Sequence, residues 1–153
     1  AVIERADGSV TMNVRTTSPR NRRTILTSPD GATRWSAPHF DETLTDPICA
    51  AGLVRIPQKQ GAPWWAFSNP DCVTRADGRA IANKDRRNLT LRISRDEGAT
   101  WTIVRVLEPG PAGYSDLAAL PGGSLLCHYE TVSAPRSAVL RLARLPLDPL
   151  TKP

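Results

Sequence analysis

The sequence predicts an antiparallel all-β chain, on three observations. Its 153 residues include 10 glycines and 14 prolines, above the usual combined share of about 12%, so tight turns must separate many short elements. Two stretches alternate with the period of a half-buried strand: Val10, Met12 and Val14 against Thr11, Asn13 and Arg15, then Leu89, Leu91 and Ile93 against Thr90, Arg92 and Ser94. No segment carries a convincing helical period over about three turns; residues 47–54 come nearest and are too few.

The elements follow in order. Ala6-Asp7-Gly8-Ser9 is a hairpin turn, Asp-Gly being the strongest short-range signal for one, and it opens the strand at 10–15. Further strands are expected at 24–27, 52–56, 64–68, 89–94, 102–107, 115–119, 124–130 and 138–145, with Pro, Gly and Asp turns between them. Two turn segments resemble each other. Ser94-Arg95-Asp96-Glu97-Gly98-Ala99-Thr100-Trp101 matches the Asp-box pattern S-x-D-x-G-x-T-W at every defined position. Ser28-Pro29-Asp30-Gly31-Ala32-Thr33-Arg34-Trp35 keeps Ser28, Asp30 and Trp35 but has its glycine and threonine one position early. The physics of such a box is a closed turn: the carboxylate accepts backbone N–H groups, the glycine takes positive φ, and the tryptophan packs beneath. A marked turn recurring between four-stranded units is the signature of propeller blades of roughly 40–50 residues. On that spacing the chain makes about three blades.

Composition narrows the function classes. The net charge is +5, from 20 basic and 15 acidic residues. The excess sits in two runs, Arg20/Arg22/Arg23 and Lys84/Arg86/Arg87, read as solvated loop charge. A nucleic-acid partner would want interleaved aromatics for stacking, and there are just four Trp, two Tyr and two Phe. Cys49, Cys72 and Cys127 lack metal spacing and read as thiols in or near the core. His39 and His128 lie far apart, so zinc is not expected. No apolar run approaches the roughly 18 residues of a membrane helix. Ala1-Val2-Ile3-Glu4-Arg5 does not resemble a signal peptide, so any export leader is expected outside this chain.

More specific patterns lie between and after the boxes. Met12-Asn13-Val14-Arg15 resembles the strand motif carrying the second arginine of the exo-α-sialidase (neuraminidase) family. Ala66-Phe67-Ser68-Asn69-Pro70, followed by Arg86-Arg87-Asn88-Leu89-Thr90-Leu91-Arg92, resembles the segment carrying the third. Pro109-Gly110-Pro111-Ala112-Gly113-Tyr114-Ser115-Asp116-Leu117 is similar to the nucleophile loop, with Tyr114 on its tyrosine, and Leu125-Leu126-Cys127-His128-Tyr129-Glu130 to the closing Tyr-Glu strand. The resemblance runs in order over nearly the whole chain. It implies a six-bladed propeller, of which this chain covers about three C-terminal blades as a single partial domain, 1–153, with the N-terminal half elsewhere. It also implies sialic-acid-bearing glycans as substrate, a glycoside hydrolase activity, and no cofactor. The family's first arginine and general-acid aspartate have no match here. Arg55-Ile56-Pro57 reads like the first-arginine motif but falls after the second, and the activating glutamate is expected just before Val2-Ile3-Glu4.

That chemistry needs these residue types. A sialic acid bears a carboxylate on its anomeric carbon, and a carboxylate nucleophile approaching to ~4 Å would be repelled by about 4 kcal/mol at an effective dielectric of about 20. A neutral phenol avoids the repulsion, and sialidases use Tyr where most retaining glycosidases use a carboxylate. The phenol needs a neighbouring base and cationic surroundings; arginine forks supply the cations and grip the substrate carboxylate bidentately. The resemblance thus assigns Tyr114 as nucleophile and Arg15 and Arg86 as carboxylate ligands, with Arg87 the rival of Arg86. Glu130 would orient the first arginine. The pattern departs at Ala50, at or beside a frequent Gln or Asn, where alanine cannot donate a bond to the sugar's polar tail. Two other readings compete: a non-catalytic Asp-box propeller binding glycans or proteins, and a basic nucleic-acid binder with salt-sensitive retention on polyanions.

Overall fold

The computed structural model describes residues 1–74, 86–134 and 137–147. Lys84, in the second basic run, lies outside them. The described chain contains ten strands: β1 (Val2–Glu4), β2 (Val10–Val14), β3 (Arg22–Ser28), β4 (His39–Thr45), β5 (Gly52–Ile56), β6 (Trp64–Pro70), β7 (Arg87–Ser94), β8 (Thr102–Leu120), β9 (Ser124–Ala134) and β10 (Ser137–Pro146). Every pairing is antiparallel between sequence neighbours.

These meanders are propeller blades. Strands β1–β4 form one four-stranded sheet, and β5–β10 form a continuous six-stranded one. The second sheet divides within β8. Residues from Thr102 to Pro111 pair with β7, whereas those from Ala112 to Leu120 pair with β9. One 19-residue strand therefore closes the second blade and opens the third. The expectation of separate strands at 102–107 and 115–119 is corrected by this continuity. The loop 47–51 carries no helix, and β1 and β4 are short or polar strands without a clean alternation.

Blade packing explains which faces are buried. The β7 alternation divides between two interfaces, and both sides are buried. Leu89, Leu91 and Ile93 face the third blade, in a core with Ile56, Leu117, Leu125, Cys127 and Leu145. On the opposite face, Phe67 lies under the Arg23 guanidinium of the first blade, 5.8 Å from ring centroid to carbon. Burial of strands on both faces is the usual consequence of stacking sheets. In β2 it is the polar side, Thr11 and Asn13, that is buried, with Val10, Met12 and Val14 half-buried on the outer face.

Both boxes close as turns. In the second, Asp96 Oδ1 accepts the Thr100 N–H at 2.8 Å and Oδ2 the Thr100 hydroxyl at 2.6 Å, while Ser94 Oγ accepts the Gly98 N–H at 2.8 Å. Gly98 takes φ +88°, and a Cβ there would meet the Trp65 ring. Trp101 packs on Phe67 with centroids 5.6 Å apart. The first box makes the same closure through Asp30 and Thr33, at 2.7 Å to the amide and 2.5 Å to the hydroxyl, so shifting glycine and threonine by one position preserves it. Trp35 is half-buried behind that turn.

Candidate active site

Three side chains from different blades meet at the end of the sheets opposite the boxes. Arg15 follows the last residue of β2, Arg86 precedes β7, and Tyr114 sits where β8 passes between blades. Arg15 Nη1 donates to Tyr114 Oη at 3.3 Å. The Arg15 and Arg86 guanidinium carbons lie 5.9 and 5.3 Å from the centre of the Tyr114 ring. Both distances are within reach of cation–π attraction. The Tyr114 phenol is held below its ordinary pKa by the hydrogen bond from Arg15, by Arg86 and by the positive charge of both. Tyr114 remains 43% exposed, so a solute can reach its hydroxyl.

The tyrosine is presented by a β-bulge. Along the β8–β9 ladder Ala112 pairs with Thr131 and Ser115 with Tyr129, so Gly113 and Tyr114 together oppose the single residue Glu130. A bulge re-aims a side chain and leaves an amide unpaired in the ladder. Here the Tyr114 N–H donates to Glu130 Oε2 at 3.0 Å. Gly113 leaves room for the same contact, because a Cβ there would force the Glu130 carboxylate to move. Glu130 thus braces the loop of Tyr114. A groove of about 330 Å³, lined by Arg86, Gly113, Glu130, Thr131 and Val132, opens beside the cluster. A hollow of about 140 Å³ adjoins Tyr114 itself, with Asp116 and His128 on its wall.

Beneath lies a buried polar network that the sequence reading missed. Arg23 is 1% exposed. It donates to Asn13 Oδ1 at 2.6 Å and to the Cys49 carbonyl at 2.9 Å, and pairs with Asp46 at 3.4 Å. Burial pulls its guanidinium pKa down, and the Asp46 charge opposes the shift. Solvated loop charge is therefore the wrong description of Arg23, which lies in β3 and faces the second blade. Arg20 is exposed and Arg22 half-buried, each ion-paired with Glu42, at 2.6 and 3.9 Å. The available signal was the β3 alternation, which places Arg23 on the same side as Ile25 and Thr27.

Arg87 turns away from Tyr114 and donates to the Thr74 carbonyl at 2.6 Å. Arg55 lies on β5 and pairs with Glu4 at 3.4 Å. Cys49 and Cys127 are buried thiols, each pushed up to about 11 by burial. Cys72 is half-buried, and its sulfur accepts the Arg87 N–H at 3.3 Å. Among the described residues no group of three His, Cys, Asp or Glu side chains is arranged to hold a metal ion. None of their helices is long and apolar enough to cross a membrane.

Stacked antiparallel blades with Asp-box turns at one end and an arginine–tyrosine cluster at the other define an Asp-box β-propeller. The chain belongs to the BNR repeat-like domain family, whose model matches residues 1–127, and its relatives are sialidases. It is 32% identical over 148 residues to a sialidase of Micromonospora viridifaciens, a match covering 94% of this chain and 21% of that protein. It is 29% identical over 136 residues to a sialidase of Vibrio cholerae, covering 85% of this chain and 16% of the relative. The chain thus spans about a fifth of the length of these curated relatives. Among solved structures, the intramolecular trans-sialidase of Ruminococcus gnavus superposes with a TM-score of 0.70 at 19% identity, over 100% of this chain and 33% of that one. The NanB sialidase of Streptococcus pneumoniae gives 0.73 at 16% identity, over 99% and 23%. The fold is that of a sialidase-type propeller.

Proposed function

We propose that this chain carries part of the active site of an exo-α-sialidase, a retaining glycoside hydrolase that releases terminal sialic acid from glycoconjugates. The observation supporting it is the convergence of Arg15 and Arg86 on the exposed Tyr114. In this reading the two guanidinium groups bind the substrate carboxylate and hold the anomeric carbon over Tyr114 Oη. Oη bonds to that carbon while the glycosidic oxygen departs, taking a proton from a general acid. The phenol proton passes to a base, and water then releases the sugar. Acid, base and first arginine are residues with no match in this chain. Arginine charge next to the phenol favours loss of its proton, the direction that nucleophilic attack requires. Ala50 offers no side-chain amide to the sugar's polar tail, so a different sugar preference, or a weak or lost activity, would follow from it.

The test is hydrolysis of a fluorogenic sialoside by the complete protein, with trapping by a fluorinated sialosyl donor and intact mass. Tyr114→Phe removes the hydroxyl with little change in packing, and the covalent adduct should vanish. An adduct on the Phe variant as large as on the wild type overturns the assignment. Binding of sialosides without turnover by the wild type would favour a non-catalytic propeller.

A further inference from the structure

We propose that the Asp46–Cys49 loop is the positioning element for Arg15, Arg86 and Tyr114, with Asp46 as its hub. Arg86 is bonded to this loop directly, and Arg15 and Tyr114 are tied to it through the backbone of the residue after and the residue before them. Asp46 Oδ2 accepts the N–H of Thr16, the residue after Arg15, at 2.6 Å. The Pro47 carbonyl accepts Arg86 Nε at 3.3 Å, and the Ile48 carbonyl accepts Arg86 Nη2. Cys49 Sγ donates to the Gly113 carbonyl at 3.3 Å, on the bulge that presents Tyr114.

The loop is itself fixed from below through Asp46. This side chain is fully buried. Its Oδ1 accepts the Cys49 N–H at 3.2 Å and faces Arg23 Nη1 at 3.4 Å. The backbone of Asp46 is also clamped, its N–H donating to the Asn21 carbonyl at 2.8 Å and its carbonyl accepting Asn21 Nδ2 at 3.2 Å. Ile48 is held at φ +57°, a conformation a β-branched residue rarely adopts. Such strain persists where the surroundings over-determine the backbone. Here it turns the carbonyls of residues 47 and 48 onto Arg86. The Arg86 backbone is held by the Ala112 N–H at 3.0 Å, while its guanidinium takes its hydrogen bonds from this loop, and Arg15 follows the last paired residue of β2. One buried carboxylate thus sets the spacing of two guanidinium groups, and a misplacement of about 1 Å in such a site can cost about 10²-fold in rate.

The phenol of Tyr114 reports that placement without any substrate. Arg15, Arg86, Glu130, Asp116 and His128 are the charged or titratable groups around it, with Asp46, Cys49 and Arg23 behind the arginines. In Asp46→Asn, charge alone and displacement act in opposite directions. Removing a negative charge leaves the arginines less neutralised and lowers the phenol pKa further. Loss of arginine placement raises it toward the ordinary value of about 10.

The experiment titrates the phenol by ultraviolet difference spectroscopy in the complete protein. The matching Tyr114→Phe protein is subtracted, which removes every other tyrosine. Asp46→Asn should shift the titration upward and lower kcat/KM for a sialoside by about 10²-fold. Thr16→Pro deletes the N–H that Asp46 accepts with no change of charge, and suits an extended Arg15; it should shift the phenol the same way. If Asp46→Asn does not fold, Thr16→Pro alone decides. An unchanged or lowered phenol pKa in a folded variant overturns the proposal and leaves Asp46 a purely structural residue. The kinetic arm rests on the sialidase reading. A wild type without sialoside turnover overturns that reading, while the phenol titration still decides this one.

Discussion

Arg86 and Arg87 are neighbours in the chain, but their guanidinium groups go to different places: Arg86 to the ring of Tyr114, and Arg87 to the Thr74 carbonyl. If a substrate carboxylate is gripped by Arg15 and Arg86, replacing either with Ala should lower kcat/KM on the order of 10²–10³-fold, as loss of a positioned donor to a charged group does. Arg87→Ala should change it less than about threefold, since surface substitutions away from such features are nearly neutral. Steady-state kinetics on the three variants checks this, and equal losses at 86 and 87 would place the wrong arginine in the site. The residue scale is also where sequence reading reached its limit. Motif order picked out Arg15, Arg86 and Tyr114, because each sits in a short local pattern. Arg23 and Asp46 lie in no such pattern; the one local sign is the β3 alternation that sets Arg23 beside Ile25 and Thr27, and the partners that bury Arg23, Asn13 and the loop at 46–49, are distant in sequence.

Strands and turns were more legible, since they depend on nearest neighbours. The alternations at 10–15 and 89–94 located β2 and β7, and the Asp-Gly turn located the hairpin before β2. Alternation does not reveal which face a neighbouring blade covers, so the burial of Thr11, Asn13 and Arg92 was not readable. Arg92 is paired there with Asp71 at 2.5 Å. Asp96→Ala removes the acceptor of the Thr100 amide and hydroxyl and of the Ser94 hydroxyl, at 2.8, 2.6 and 2.8 Å. It should destabilise the protein by about 1–3 kcal/mol. The site should be spared, because Tyr114 packs on Arg86 at the far end of β7, roughly 25 Å from the box at the usual rise per residue. Burial pushes the Asp96 carboxyl up but is outweighed by the Thr100 hydroxyl and amide, so its pKa is depressed. Asp30 is depressed likewise, chiefly by the Thr33 hydroxyl and amide. A depressed carboxylate contributes stability that is present in full above its unfolded pKa of about 4 and is lost as pH falls through the folded value. Thermal unfolding between pH 7 and pH 2 should therefore show a steeper acid decline for wild type than for an Asp30→Ala, Asp96→Ala double variant.

At the scale of the whole molecule, three blades of a six-bladed design leave two end faces without a neighbouring blade. On the first blade, Val2 is 59% exposed and Val10, Met12 and Val14 are half-buried beside it. On the third, Leu140 and Leu142 are 67% and 65% exposed, with Val132 at 43%. Exposed apolar side chains on uncovered sheet faces favour association, and ring closure, which protects such faces and the outer strand edges, is not available to three blades. Residues 1–153 expressed alone should accordingly run on a sizing column as oligomers or aggregate. They should also show sialoside turnover at background. General acid and general base catalysis are each worth about 10²–10⁴-fold, and neither residue has a match in this chain, so the arginine–tyrosine cluster would have to act unaided. A stable monomer with turnover close to that of the complete protein would overturn this account. It would mean that acid and base are supplied from within the chain, and Glu130, Asp116 and His128 around Tyr114 would be the first residues to test.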